Sequence, residues 1–155
     1  MTAAARSVEQ LVLPTDLRDA DDPSNEVLVA ELGGVRTMHT WAEDIDRDLE
    51  RDPLVASAVA VPGGYELTVV ARSLTKDITL LVDRLDPNAS VDLGLVDLPA
   101  GTSATFRVHS AVPGLEGALT GPTVLRNGND LAATRPVPAA SDDQSASDRE
   151  VASIG

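Results

Sequence analysis

Twice in this chain a pair of glycines stands between two runs of β-favouring residues, and this repeated punctuation constrains the fold more than any other feature. Gly33-Gly34 separates the Val/Leu-rich segment Glu26 to Leu32 from the run Val35 to Trp41. Pro62-Gly63-Gly64 separates Leu54 to Val61 from Tyr65 to Arg72. Tight hairpin turns need positive φ at their central positions, which glycine adopts without steric cost, so each site predicts an antiparallel hairpin. In the second, Tyr65, Leu67, Val69 and Ala71 alternate with Glu66, Thr68 and Arg72, the period of a half-buried strand.

The same pattern continues along the chain. Asp77 to Asp83 reads as a strand with Ile78, Leu80 and Val82 on one face, and Ser103 to Ser110 as another with Ala104, Phe106 and Val108 opposite Thr105, Arg107 and His109. Asp86-Pro87-Asn88 and Pro99-Ala100-Gly101 supply turns between them. Ser7 to Pro14 suggests a first strand, Thr15 to Asn25 a surface loop, and Gly117 to Leu125 a last strand. Ala42 to Asp52 is too charged to bury a helical stripe and reads as a loop or a single turn. About seven short strands with these turn spacings predict an all-β, antiparallel β-sandwich. The expected boundaries are a flexible N-terminus at 1–11, a sandwich at 12–126 and a disordered Ala/Ser/Asp/Pro-rich acidic tail at 127–155, which has too little apolar surface to offset its ordering entropy.

Composition narrows the function. With 155 residues there is room for one ordinary domain and its tails. The apolar 43% is carried by Val, Leu and Ala, and Trp41, Tyr65 and Phe106 are the sole aromatics, so the core is aliphatic. A formal net charge of −13 argues against nucleic acid and anionic membranes as partners, because both are bound by clustered Lys and Arg. The chain has no cysteine, which excludes disulfides, thiolate metal sites and a cysteine nucleophile. No apolar leader precedes Gln10 and no stretch approaches the ~18 apolar residues of a membrane span, so the expectation is a soluble, cytoplasmic protein. The sequon Asn88-Ala89-Ser90 then reads as a chance match in a turn.

Candidate chemistry is thin. Asp44, Asp46 and Asp48 imitate the first ligands of a calcium loop, but Leu49 stands where that loop needs glycine and Val55 where it needs a bidentate glutamate. Among 25 acidic residues no pair is marked out as a glycosidase dyad. His39 and His109 lie in no nucleophile or metal motif, and Gly33-Gly34 and Gly63-Gly64 open no helix, so they do not cradle phosphate. Three aromatics make a poor platform for stacking sugars. The residues predict no catalytic group, cofactor or metal.

Several segments, in order, resemble one family. Glu26 to Arg36, Trp41 to Asp44, Gly64 to Arg72, Asp77 to Pro87 and Leu98 to Val108 together look like the C-terminal immunoglobulin-like domain of β-mannosidases in glycoside hydrolase family 2, over roughly Val12 to Ser110. The resemblance implies an immunoglobulin-like sandwich that packs as an accessory against a catalytic TIM barrel carrying both catalytic glutamates. No such barrel is encoded here, so no catalytic residue carries over. Where family members are more aromatic, this chain reads Thr37-Met38-His39-Thr40. The expected partner is the barrel of a glycoside hydrolase, met through an apolar patch near Met38 and Trp41. The alternative expectation is a free-standing protein-interaction domain with an acidic tail, whose surface would be uniformly polar.

Overall fold

A computed structural model describes Gln10 and residues 12–132. The chain is built mostly of strands in antiparallel sheets, with few and short helical turns. Nine strands are present among the described residues: β1 (Leu28–Leu32), β2 (Val35–His39), β3 (Leu54–Val61), β4 (Gly64–Ala71), β5 (Thr75–Leu80), β6 (Ser90–Val91), β7 (Val96–Leu98), β8 (Ser103–His109) and β9 (Leu125–Arg126). Two four-residue helices, α1 (Glu116–Leu119) and α2 (Asn129–Ala132), follow β8 and β9 respectively.

The strands form a four-stranded sheet in the order β3-β4-β8-β6, a three-stranded sheet in the order β7-β5-β9, and a separate two-stranded hairpin, β1-β2. Alternation drives the long sheet. Tyr65, Leu67, Val69 and Ala71 of β4 are all buried, as are Phe106 and Val108 of β8, while Thr105, Arg107 and His109 face out. These residues merge with Ile78 and Leu80 of β5, Leu98 of β7, Leu119 of α1 and Val124 in one apolar cluster. Two sheets therefore share a single aliphatic core with Phe106 at full burial.

Both hairpins turn on glycine as expected, though by different means. Gly33 and Gly34 have φ of +59° and +81°, the pair of positive values a primed turn requires. In the second hairpin Gly63 takes φ +86° behind Pro62, and Gly64 is already the first residue of β4, opposite Val61. Pro62 at the second turn position and glycine at the third is the arrangement of a type II turn.

Other elements differ from the expectation. The strand expected at Asp77 to Asp83 begins two residues earlier, carries a bulge between Thr75 and Ile78, and ends at Leu80. Val82 reaches the core from a 3₁₀ turn instead. No long strand covers Gly117 to Leu125: α1 occupies its start, and turns closed on the Ala118 and Gly121 carbonyls lead to the two residues of β9. Two glycines and Pro122, which has no amide donor, break any ladder there. Leu119 is fully buried where α1 packs next to β3, whose inward-facing Ala56 and Ala58 are small. Of the expected first strand at Ser7 to Pro14, Gln10 and residues 12–14 are not in a strand, and the rest lies outside the described residues.

The expected tail boundary at 126 also moves. Residues 127–132 remain tied to the fold, with Asn129 fully buried and the Gly128 amide donating to the Lys76 carbonyl at 2.7 Å. The remainder of the expected tail, 133–155, lies outside the described residues, as does nearly all of the expected flexible N-terminus at 1–11.

A buried carboxylate fastens the turn after β5. Asp86 accepts the Ser110 hydroxyl at 2.6 Å and the Asn88 amide at 2.9 Å. The Ser110 hydroxyl, then the Asn88 amide, holds its carboxyl below the usual carboxylate range. A depressed folded value means that stability from Asp86 is present above the unfolded value, near ~3.9, and is lost as pH falls through the folded one. In denaturant titrations the deficit of Asp86→Asn relative to the parent chain is thus expected at pH 7 and should vanish once acid protonates Asp86 itself.

Candidate functional site

Two regions stand apart from the regular sheets: the bulge of β5 and the β1-β2 hairpin. The bulge arises because Asp77 sits at φ +51°, a left-handed conformation that a non-glycine residue adopts only when its surroundings enforce it. They do. The Asp77 amide donates to Asp97 Oδ1 at 2.7 Å, and Lys76 is fixed on both sides of its backbone: its amide donates to Asn129 Oδ1 at 3.1 Å and its carbonyl accepts from Gly128. Asn129 completes the join by donating to the Glu50 and Leu74 carbonyls at 3.0 and 2.9 Å.

This geometry aims the Lys76 ammonium at two carboxylates, Asp97 Oδ2 at 3.0 Å and Asp44 Oδ2 at 3.9 Å. Beside them lies a concavity of about 240 Å³ lined by Asp44, Ile45, Leu49, Lys76, Asp77, Gly128 and Leu131. Burial opposes the charge on Lys76, but the hydrogen bond and charge of Asp97, helped by Asp44 and Asp77, outweigh it and raise the lysine above its ordinary value. An ammonium so held keeps its proton at neutral pH. It has no free lone pair for attack on a carbonyl or carboxyl carbon, which a Schiff base or an amide cross-link to Asp97 would require. The cluster is thus suited to bracing the bulge, and its chemistry is that of an ion pair.

The acidic run from Glu43 to Glu50 divides in the same way. Asp44 to Asp46 form a 3₁₀ turn, and Asp48 takes a hydrogen bond from Asn25 Nδ2. The run's sole cation, Arg47, is buried and donates to the Pro23 and Glu26 carbonyls at 3.2 and 3.0 Å, pinning the preceding loop. The sequence reading of this stretch as a charged loop or single turn did not anticipate the burial of Arg47. The one signal available was a lone arginine among seven neighbours of which five are acidic. Among the described residues no three His, Asp or Glu side chains group as metal ligands, and no helix is long and apolar enough to cross a membrane.

Met38 and Trp41, the residues expected at an interdomain contact, belong to the hairpin and its exit. Neither is bare. Trp41 Nε1 donates to the Arg18 carbonyl at 2.9 Å, and its ring meets His39 edge-on at 5.3 Å. Met38 is half-buried opposite Val29 and shares a shallow concavity with Leu95 and Asp97. The uncovered apolar side chains lie further out on the same hairpin: Leu32 is 76% and Val35 73% exposed at the tip, where they face one another across the strands. Val29 is 40% exposed. An isolated two-stranded hairpin is at best marginally stable in water, and this one belongs to neither larger sheet. Its tip turn was legible from Gly33-Gly34, but its separation from the sandwich was not, because strand pairing beyond the hairpin leaves no local sequence mark. No known family model, curated protein or solved structure matches this chain.

Proposed function

We propose that the chain is a non-catalytic accessory module of a β-mannosidase-like glycoside hydrolase, an immunoglobulin-like sandwich that docks on a catalytic barrel hydrolysing terminal β-D-mannosyl residues. The observation that carries the accessory role is the β1-β2 hairpin, which presents Leu32 and Val35 to solvent outside both sheets. Apolar side chains on a detached hairpin are stabilised when a neighbour covers them. The mannosidase assignment rests on the resemblance across Val12 to Ser110. The order β3-β4-β8-β6 is that of strands A, B, E and D in that fold, whereas the second sheet, β7-β5-β9, has a single strand after β8 where the fold places two. A free-standing interaction domain is less well supported, because its surface would carry no orphaned apolar tip.

The test is hydrolysis of an aryl β-mannoside by the purified chain, alone and mixed with a barrel fragment of a family 2 β-mannosidase lacking its own C-terminal domain. The expected result is no turnover alone and recovered activity in the mixture. A Leu32→Lys/Val35→Glu double variant, exposed and with opposite charges set across the hairpin, should leave folding near neutral and abolish the recovery. Turnover by the isolated chain would overturn the accessory role, and absence of recovery with the parent chain would overturn the docking.

A further inference from the structure

The longest sheet edge in the molecule has no strand beyond it, although α1 packs next to part of it. β6, β7 and β9 are edge strands of two or three residues, whereas β3 is an edge of eight. It pairs with β4 on one side, and among the described residues its other side takes no backbone hydrogen bond from any element. Natural sheets blunt such edges with lysine, proline, bulges or brevity. The eight residues Leu54-Val55-Ala56-Ser57-Ala58-Val59-Ala60-Val61 contain no charge, no proline and no glycine, and their register with β4 runs without a bulge.

The composition of the strand specifies its occupant. A chain with a net charge of −13 repels its own copies over most of its surface, and β3 is a neutral corridor within it. The segment Val55-Ala56-Ser57-Ala58-Val59 also reads identically in both directions. An antiparallel pair built on a two-fold axis at Ser57 sets Val55 against Val59 twice, Ala56 against Ala58 twice, and Ser57 against itself. Val55 and Val59 are on the outward face, 45% and 57% exposed, so each new Val–Val pair removes apolar surface from water.

We propose that β3 is a homodimer interface, at which two copies join their four-stranded sheets into one continuous eight-stranded sheet through antiparallel β3–β3 pairing about Ser57. The contact is isologous, so it closes at two copies; the remaining edges of the two larger sheets, β6, β7 and β9, are two or three residues long, and the five-residue strands of the hairpin belong to neither of them. The pairing is independent of the docking proposed for the hairpin, which lies on other residues.

Because the chain has no cysteine, the register can be read directly. Directly opposed residues in an antiparallel pair have Cβ atoms about 4.5–5.5 Å apart, within reach of a disulfide after small adjustment. Mild oxidation of Ser57→Cys in the full chain should give a covalent dimer, while Ser103→Cys, exposed on β8, should stay monomeric. By sedimentation velocity the unmodified chain should pass from monomer to dimer between roughly 1 and 100 µM, the regime of a small interface. Val59→Lys, with unchanged far-UV circular dichroism, should remain monomeric throughout. A parent chain that is monomeric over the whole range, a dimer that survives Val59→Lys, or cross-linking of Ser57→Cys no greater than that of Ser103→Cys would each overturn the proposal.

Discussion

Replacing Gly64 by alanine is expected to destabilise the domain by about 3 kcal/mol or more, lowering its melting midpoint by roughly 10 °C. Two costs add. Gly64 holds φ +154°, which a side chain strains against, and a Cβ at this position would be driven into the Val108 carbonyl of β8. That carbonyl cannot yield cheaply, since β8 is laddered to β4 on one side, with Gly64 opposite His109, and to β6 on the other. Relief would require the start of β4 to part from β8 next to buried Tyr65, whose hydroxyl donates to the Val112 carbonyl at 2.6 Å and accepts the Leu115 amide at 3.2 Å. Gly63→Ala provides the contrast. Alanine would also be strained at its φ of +86°, but nothing lies within 4 Å of the place its Cβ would take, so the loss should be about 1 kcal/mol. Chemical denaturation of both variants, with the slope checked for unchanged two-state behaviour, measures the difference. Equal losses at the two positions would refute the close-approach argument.

Asn129→Ala should cost about 3 kcal/mol, a large value for a residue near the C-terminal end of the described chain. The amide side chain is fully buried and makes three hydrogen bonds, to the Lys76 amide and to the carbonyls of Glu50 and Leu74. Truncation leaves all three backbone groups in want of a partner, and an unsatisfied buried group costs about 1–3 kcal/mol before any water relaxes in. Asn129→Asp is the sharper test. It preserves shape and the acceptor for Lys76, but replaces the amino group that makes both donations by one carboxylate oxygen facing two carbonyls, so it should be at least as damaging as alanine at neutral pH and recover in part as acid protonates it. If Asp were tolerated at pH 7 as well as Asn, the assigned donors would be wrong.

What could be read in the sequence follows a physical line. β4 and β8 were legible down to the inward side of each residue, because a strand with one wet face must alternate, and both glycine hairpins were legible because positive φ leaves few residue choices. The sense of Gly64 was not: its need comes from a strand over forty residues later, and no local pattern carries that distance. β5 was displaced for a related reason. Its bulge is imposed by Asp97 and by Asn129, so Thr75 and Lys76 join a strand that hydrophobic periodicity starts at Asp77. Burial of Arg47 escaped notice because charge runs normally face water, and here the guanidinium finds carbonyls of a loop more than twenty residues earlier. The contact expected near Met38 and Trp41 falls on side chains that fold back onto the chain, Trp41 onto the Arg18 carbonyl and Met38 half-buried opposite Val29, while Leu32 and Val35, at a two-residue turn, stay exposed.

The join at Asn129 also has a temporal side. Proteins are made from the N-terminus, and a domain can complete its packing only when all the segments it needs have been delivered. β3, β4, β5 and β8 are available by His109, yet the carbonyls of Glu50 and Leu74 and the amide of Lys76 wait for a residue supplied twenty positions later. On the ribosome, then, the long sheet can assemble while the bulge of β5 stays open, because its closure cannot form until residue 129 has emerged.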